Sequence, residues 1–414
     1  MTFTLERELR MRFGENSYQF FIACASVIFV LLSFSPVMAN KTNEDTYILD
    51  EVLVEADEEE GSAAQGYRVD NVKTIGPFAD QKLLDTPYSI FAMSEDMIEN
   101  SITGNMADLF KKNPLITVTG GGAQALNNLT WIYTRGFSSS TTLYNGMAGV
   151  NQGGFPEEIE SMEVLSGLSG FLYGTASVGG VLNLNSKRPT SEFMAKITGG
   201  NYGGSQYYGH IDMGGPIVGN KLNFRLNALY QDGETYIKDQ NVTREMLTAA
   251  VDWHVTEDLL LQFDFAYKNF ELEGRQNSFA SIIYSGTEFP DHLDGSKLWG
   301  PKGTENNIKS YGGGVGAKYR LNDIFSFRTG YLHREDIREA LNDAGTFIDK
   351  DHFTLYVMTY QWKSKVDSAY AYTDAKFNTF GVGHTLTFGA NGTYNVGYTA
   401  PQRHYFYEIG RAHV

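Results

Sequence analysis

The sequence is poor in the residues that most catalytic and metal sites rely on. Its single cysteine, Cys24, sits in an N-terminal apolar run, so disulfides, a thiolate metal site and a thiol nucleophile all vanish from the mature chain if that run is removed. The eight histidines never stand three or four positions apart, which leaves no paired-imidazole zinc motif. No G-x-S-x-G elbow occurs, and "GLSG" at residues 167–170 lacks its spacing. The run "GTASVGGV" at 174–181 invites a phosphate loop but has no lysine after its paired glycines. Basic residues are few and scattered, 33 against 49 acidic ones for a net charge of −16, which argues against nucleic acid as a partner. The ten prolines are too few for a disordered chain. Nothing here supports an enzyme, a catalytic residue, a metal site or a cofactor.

Glycine (44 residues) and aromatics (14%) are abundant, a mixture that favours ordered, strand-rich structure. At the N-terminus, Arg7, Arg10 and Arg12 precede the apolar run "FFIACASVIFVLL" (20–32), and "SPVMAN" follows. That pattern reads as a signal peptide over 1–39, cut after Ala39, with a buried helix or a lipoprotein cysteine at Cys24 as the alternatives. The run is shorter than the about 20 residues of a transmembrane helix, and no later segment is longer and as apolar. A mature chain that enters a membrane must then do so as a barrel.

Residues 40–66 are polar and acidic and read as a flexible tether. "YILDEVLVEA" (47–56) interrupts it with aliphatic residues suited to strand addition on a partner's sheet edge, or to a strand of the following domain. Residues 67–190 carry short strand-like runs and two helix signals, "SEDMIENS" (94–101) with a serine cap and "NMADLFKKN" (105–113) ending just before Pro114. This is a mixed α/β unit of ordinary domain size.

Past residue 190 the texture becomes period-2 alternation. In "KLNFRLNALY", Leu222, Phe224, Leu226, Ala228 and Tyr230 share one face, and Lys221, Asn223, Arg225 and Asn227 the other. Tight turns at 218–220, 256–258, 322–323 and 381–383 alternate with long loops expected at 272–307 and at about 335–365. Short turns on one side, long loops on the other and strands of about 10 residues are the pattern of an outer-membrane barrel, with a soluble β-sandwich as the alternative.

The motifs resemble a family, the TonB-dependent outer-membrane receptors, and within it the siderophore receptors. "DEVLVEA" (50–56) resembles the TonB box, "DTPYSI" (85–90) the entry of the plug, "FKKNPLITV" (110–118) its helix and strand, and "YTRGF" (133–137) an Arg-Gly-Phe element. Glu163-Val164-Leu165, Gly167, Tyr173-Gly174, Gly179-Gly180 and Asn183, closing with "KRP" at 187–189, resemble the long plug signature; Ser166 and Leu168 depart from it.

The resemblance implies a mixed α/β plug domain (67–190) inside an antiparallel transmembrane β-barrel of 22 strands, of which 191–408 supply about nine. A full barrel of that class needs roughly 500 residues or more, so the chain is expected to be a fragment, and "IGRAHV" (409–414) resembles a translated sequencing adapter. It implies TonB pairing with Asp50, Glu51, Val52, Leu53, Val54, Glu55 and Ala56, and plug-structural roles for Arg135, Gly136, Glu163, Gly167, Tyr173, Gly174, Gly179, Gly180 and Asn183. Arg135 and Glu163 are expected to form a charged lock, or else a routine surface ion pair. Arg225, Asp264, Lys268, Arg320 and Arg328 are expected to line a wet lumen, and Tyr144, Gln152, Phe155 and Trp299 to contact ligand. The implied partners are TonB, a ferric siderophore and outer-membrane lipid. The implied function is energy-coupled import across the outer membrane of a diderm bacterium. The alternatives are the same machinery for cobalamin, haem or a glycan, or a barrel that serves as an adhesin without transport.

Overall fold

The computed structural model describes residues 60–78, 81–119, 131–138, 142–148, 154–167, 170–173, 178–275, 278–281, 294–299, 303–349, 352–401 and 403–409. The expected signal peptide, residues 50–56, Gln152, Gly174 and residues 410–414 lie outside them.

The first unit is built on β1 (Ser89–Met93), helices α1 (Glu95–Asn100) and α2 (Met106–Phe110), β2 (Ile116–Thr119), β3 (Trp131–Thr134), β4 (Phe137–Ser138), β5 (Thr142–Tyr144), β6 (Met147–Ala148), β7 (Ile159–Ser166), α3 (Gly170–Tyr173) and β8 (Gly180–Ser186). Both longer helices start where their caps dictate. The Met97 N–H donates to Ser94 Oγ at 3.3 Å and the Asp108 N–H to Asn105 Oδ1 at 2.9 Å, each satisfying a first-turn donor. The central sheet runs β1-β7-β8-β5-β6, with β5 parallel to β8 and the other pairs antiparallel, and β2-β3-β4 form a separate small sheet. Met93, Met106, Leu109, Phe110, Ile132, Ile159, Met162 and Leu182 pack between helices and sheet as its core.

The second unit is a single antiparallel wall. Its strands are β9 (Met194–Asn201), β10 (Tyr207–Val218), β11 (Leu222–Glu234), β12 (Asn241–His254), β13 (Leu259–Glu273), β15 (Glu305–Arg320), β16 (Phe325–Asp349), β17 (His352–Thr379) and β18 (Val382–Thr399). These nine pair in chain order, while β14 (Ser278–Ser281) and β19 (Arg403–Ile409) join the edges of β16 and β17. The period-2 rule is carried by direct cross-strand pairing. Phe263, Val315 and Tyr331 are paired neighbours on the outer face, and Asp264, Gly314 and Leu332 on the inner one, where Leu332 enters the core of the first unit. The outer face keeps large apolar groups in the open, with Phe388 80% exposed, as a lipid-facing surface requires.

Residues 219–221, 255–258, 321–324 and 380–381 connect strands at one end of the wall. The expected loop at 335–365 is corrected. β16 and β17 stay paired from Phe325↔Ala375 out to Asp349↔His352, with one register shift between Ala340 and Asp343. Parallel β14 flanks this extension on one side and β19 on the other. Sequence alternation fades there because a ladder beyond the apolar band has no lipid face to satisfy, while backbone hydrogen bonding continues regardless of side chain.

The glycines of the 167–180 run answer to backbone proximity. A Cβ on Gly180, whose φ is 132°, would stand 2.1 Å from the Leu165 carbonyl oxygen across the β7–β8 ladder, and one on Gly179 2.1 Å from the Thr134 carbonyl oxygen. Gly180→Ala is therefore expected to destabilise the first unit by at least about 2 kcal/mol, read as lost protection of residues 60–188 from protease. Gly209→Ala on β10, where a Cβ meets nothing within 4 Å, should change protection by less than about 0.5 kcal/mol.

Candidate functional site

A strap of chain at residues 71–75 crosses the central sheet without joining it, and side chains of β7 and β8 hold it. The Lys73 N–H donates to the Glu163 carboxylate, Asn183 Nδ2 donates to Glu163 Oε2 at 2.7 Å and to Thr74 Oγ1 at 2.9 Å, and the Gly146 N–H donates to Asn183 Oδ1 at 3.0 Å. Thr74 Oγ1 also bonds Asn185, and Lys73 Nζ reaches Glu160 at 3.2 Å. Glu163 is wholly buried. Burial pushes its carboxyl up, and the donors from Lys73 and Asn183 only partly offset that. Tyr173 closes the far end, its ring against Gly76 beside Val72, Ile75 and Leu165.

The structure thus brings Glu163, Asn183 and Tyr173 to one place, and Gly167 joins Gly179 there through an N–H to carbonyl bond of 3.1 Å. It does not bring Arg135 to Glu163. Arg135 and Gly136, with φ of 55° and 82°, are the two left-handed residues of the β3–β4 hairpin, a turn geometry that demands such conformations. That turn sends the guanidinium along Gly167 on the exposed side, and the expected Arg135–Glu163 lock is corrected.

Charged locking exists, between different residues. Lys187 has only 1% of its side chain exposed and its Nζ meets Asp212 at 2.7 Å, Glu99 at 2.8 Å and Glu95 at 3.0 Å. Glu95 and Glu99 come from α1 and Asp212 from β10. Arg225 on β11 adds bonds to Asp212 of 2.9 and 2.7 Å and a bond to Glu95, and Lys196 on β9 pairs with Glu99. Three carboxylates close enough to hold a metal ion are held by ammonium and guanidinium groups instead. Burial alone would lower the Lys187 ammonium and raise the Glu99 carboxyl. The facing charges win in both cases, so Lys187 is raised and Glu99 lowered.

The next residue, Arg188, pairs with Asp252 on β12 and Asp264 on β13. Above it Lys268 meets Glu158 at 2.6 Å and Arg244 meets Glu157 at 2.7 Å; below it Arg328 on β16 pairs with Asp374 at 2.8 Å and donates to the Gly76 and Pro77 carbonyls at 3.0 and 3.1 Å. Arg225, Asp264, Lys268 and Arg328, expected to line a wet lumen, therefore tie the wall to the first unit or anchor those ties. Arg320 stays with Asp258 at the exposed short-turn end.

The aromatic residues expected to touch ligand divide. Phe155 is 1% exposed, 4.3 Å beneath the Arg244 guanidinium, in a cluster with Leu229, Met246, Phe270 and Leu272 of the wall. Tyr144 is buried and donates its hydroxyl to Glu158 Oε2 at 3.2 Å. Both pack in the contact between plug and wall in this arrangement. Trp299 is 41% exposed and donates Nε1 to the Asp294 carbonyl at 2.8 Å, on a loop open to solvent.

Removing one partner from a buried ion cluster leaves the others uncompensated. Lys187→Met is expected to weaken docking of α1 by about 3–5 kcal/mol, measured by hydrogen exchange of residues 95–100, whereas breaking the exposed Arg68–Asp70 pair should cost no more than about 1 kcal/mol. Glu99, held below its ordinary value of 4.5, contributes stability that is present above that value and lost as pH falls through the depressed one. Protection of α1, taken relative to the intrinsic exchange rate at each pH, should stay constant from pH 8 to about 5 and fall below about pH 4.

A family profile described as the TonB-dependent receptor plug domain matches residues 82–181. The ferric-pyoverdine BN7/BN8 receptor of Pseudomonas putida is 23% identical over 74% of this chain, and the ferrioxamine receptor of Yersinia enterocolitica 22% over 89%. The chain spans 38% and 50% of those two relatives. Among solved structures, BauA, the ferric preacinetobactin receptor of Acinetobacter baumannii, superposes with a TM-score of 0.70 at 24% identity, covering 81% of this chain and 50% of that one. The pyoverdine receptor FpvA of Pseudomonas aeruginosa gives 0.69 at 20% identity over 77% and 48%. These likenesses establish the fold of both units, a plug and the antiparallel strands of the barrel that houses it. With the plug signature and the matched profile over 82–181, the first unit is similar to the plug domain of the TonB-dependent receptors, and the second to the strands of the barrel around it.

Proposed function

We propose that this chain is part of an outer-membrane receptor that binds a ferric siderophore outside the cell and imports it to the periplasm with energy supplied through TonB. The observation that carries the reading is the plug seated against the barrel wall by buried ion pairs, an obstruction that serves a gated importer and has no use in an open pore. Relatives named as receptors for ferric pyoverdine, ferrichrome and ferrioxamine support the ligand class.

The outer membrane has neither ATP nor an ion gradient, so force must arrive from elsewhere. Residues 50–56 offer a short β-prone segment for pairing with a partner's sheet edge. The strap at 71–75 follows that segment in the chain, and side-chain hydrogen bonds, the Lys73–Glu160 pair and packing of Val72 and Ile75 on Leu165, with no backbone ladder, attach it to β7 and β8. A pull from the N-terminal side would reach those bonds before the sheet ladders. Among the described residues, Trp299 is the proposed ligand contact that stands exposed.

Deleting residues 50–56 is expected to lower uptake of radiolabelled ferric pyoverdine, ferrichrome or ferrioxamine by at least about tenfold while surface binding stays within about twofold. Uptake that survives the deletion rejects TonB coupling. Binding of cobalamin, haem or a glycan in place of all three iron chelates moves the ligand to that class, and an adhesin would lose nothing on deletion.

A further inference from the structure

The plug does not fill the barrel wall evenly. Along β13, β15 and β16 three cavities lie end to end between plug and wall. The highest, lined by Tyr144, Lys268, Gly312, Gly314 and Arg334, is a slit of about 30 Å3, room for about two waters. The middle one, lined by Lys73, Asn145, Arg188 and Gly316, measures about 260 Å3 and shares Ser186 and Asp264 with the slit above. The lowest, about 380 Å3, shares Lys318 and Arg328 with the middle one and reaches Asp258 at the short-turn end.

The wall beside them explains the space. Gly312, Gly314 and Gly316 pair directly with Ala266, Asp264 and Gln262 on one side and with Arg334, Leu332 and Gly330 on the other, all on the inner face. Three successive inward positions of β15 therefore carry no side chain. Glycine weakens a strand, and it is kept where something must approach the backbone closely. At Gly312 that is β16, whose His333 carbonyl oxygen a Cβ would meet at 2.4 Å, while at Gly314 and Gly316 the nearest atoms stand at 3.2 and 3.5 Å and space remains. One ion pair, Arg188 with Asp264, stands at the junction of the slit and the middle cavity, and the buried Nε of Arg188 has no hydrogen-bond partner among the described residues.

We infer that this seam along β15 is the route by which a hydrophilic solute passes the plug, and that the Arg188–Asp264 pair is the bar across it. The inference rests on the reading of the chain as a transport receptor and adds to it the side of the plug on which the way opens. In the closed state the slit admits only water. Breaking the bar joins the slit to the middle cavity without unfolding the β7–β8 ladder.

The test needs no ligand, which separates it from the test of transport. Receptor purified from outer membranes, with Cys24 replaced by serine, is recorded in planar bilayers in potassium chloride. Arg188→Ala is expected to raise conductance about five- to thirtyfold, the shift in open population that follows loss of one partly buried ion pair. In the Arg188→Ala/Gly316→Cys double variant a bulky hydrophilic maleimide, added after assembly, should abolish that gain. The cysteine is tolerated because a Cβ at Gly316 meets its nearest neighbour at an ordinary 3.5 Å. The same reagent on Gly209→Cys, on the wall away from the seam, should leave the gain intact. Asp264→Asn provides a second opening variant should Arg188→Ala fail to assemble. Conductance unchanged in an assembled opening variant, or a gain that persists after Gly316 is blocked, overturns the inference. Normal gating by the seam together with absent siderophore uptake would instead reject the transport reading and leave the route standing.

Discussion

A lysine with almost none of its side chain in water can stay charged only if carboxylates surround it, and Lys187 draws three of them from two units. Glu95 and Glu99 come from the plug helix, Asp212 from the barrel, and Arg225 balances the remaining charge. Lys187 meets Glu95 and Glu99 within the plug and Arg225 meets Asp212 within the wall, and the Lys187–Asp212 and Arg225–Glu95 bonds join the two sets. These cross-bonds, with the buried Lys268–Glu158 pair, leave buried charge short of a partner when the two units separate, so docking is favoured. The same logic recurs at Arg188, Lys268 and Arg244, so four neighbouring barrel strands from β10 to β13 hold the C-terminal half of the plug.

The strap at 71–75 is held differently. Hydrogen bonds from uncharged groups, Asn183, Asn185 and backbone N–H groups, fasten the strap at 71–75 around the buried Glu163. Such bonds are individually modest, about 1 kcal/mol net, and break one at a time, whereas the ion cluster at Lys187 must be broken together. The strap that follows residues 50–56 in the chain is thus fastened mainly by single hydrogen bonds and apolar packing, and α1 by the ion cluster. A plug that is to be disturbed from one end without being lost needs that difference.

Outside the membrane-facing band the wall obeys another rule. β16 and β17 continue as a paired ladder flanked by β14 and β19, a sheet that stands beyond the band where outward residues must be apolar. Its first charged residues are buried and paired, Arg334 with Asp336 at 3.0 Å and Glu335 with Lys365 at 3.0 Å. A composition that reads as loop is here strand, because the constraint that writes alternation into a sequence is the lipid, and the lipid ends first.

Much of this was legible beforehand. Alternation in 221–230 and 259–268 marked the strands, the serine and asparagine caps marked both helices, and the glycines of 167–180 marked close backbone approach, because each of those signals is local: a strand face, a first turn and a missing Cβ are set by residues adjacent in the chain or paired across one ladder. The partners of charge were not legible. Lys187 and Asp212 are 25 residues apart and Arg328 lies 252 from Gly76, so nothing in the local pattern couples them. Arg135 and Glu163 looked like a pair because both are charged and both belong to the plug signature; the left-handed turn at Arg135-Gly136 turned one away from the other. What the chain determined by itself was which segments become helix, strand and turn, since those depend on near neighbours. Only the tertiary structure decided which cation meets which carboxylate and where space is left between plug and wall, because both depend on how two separately folded surfaces come to face each other.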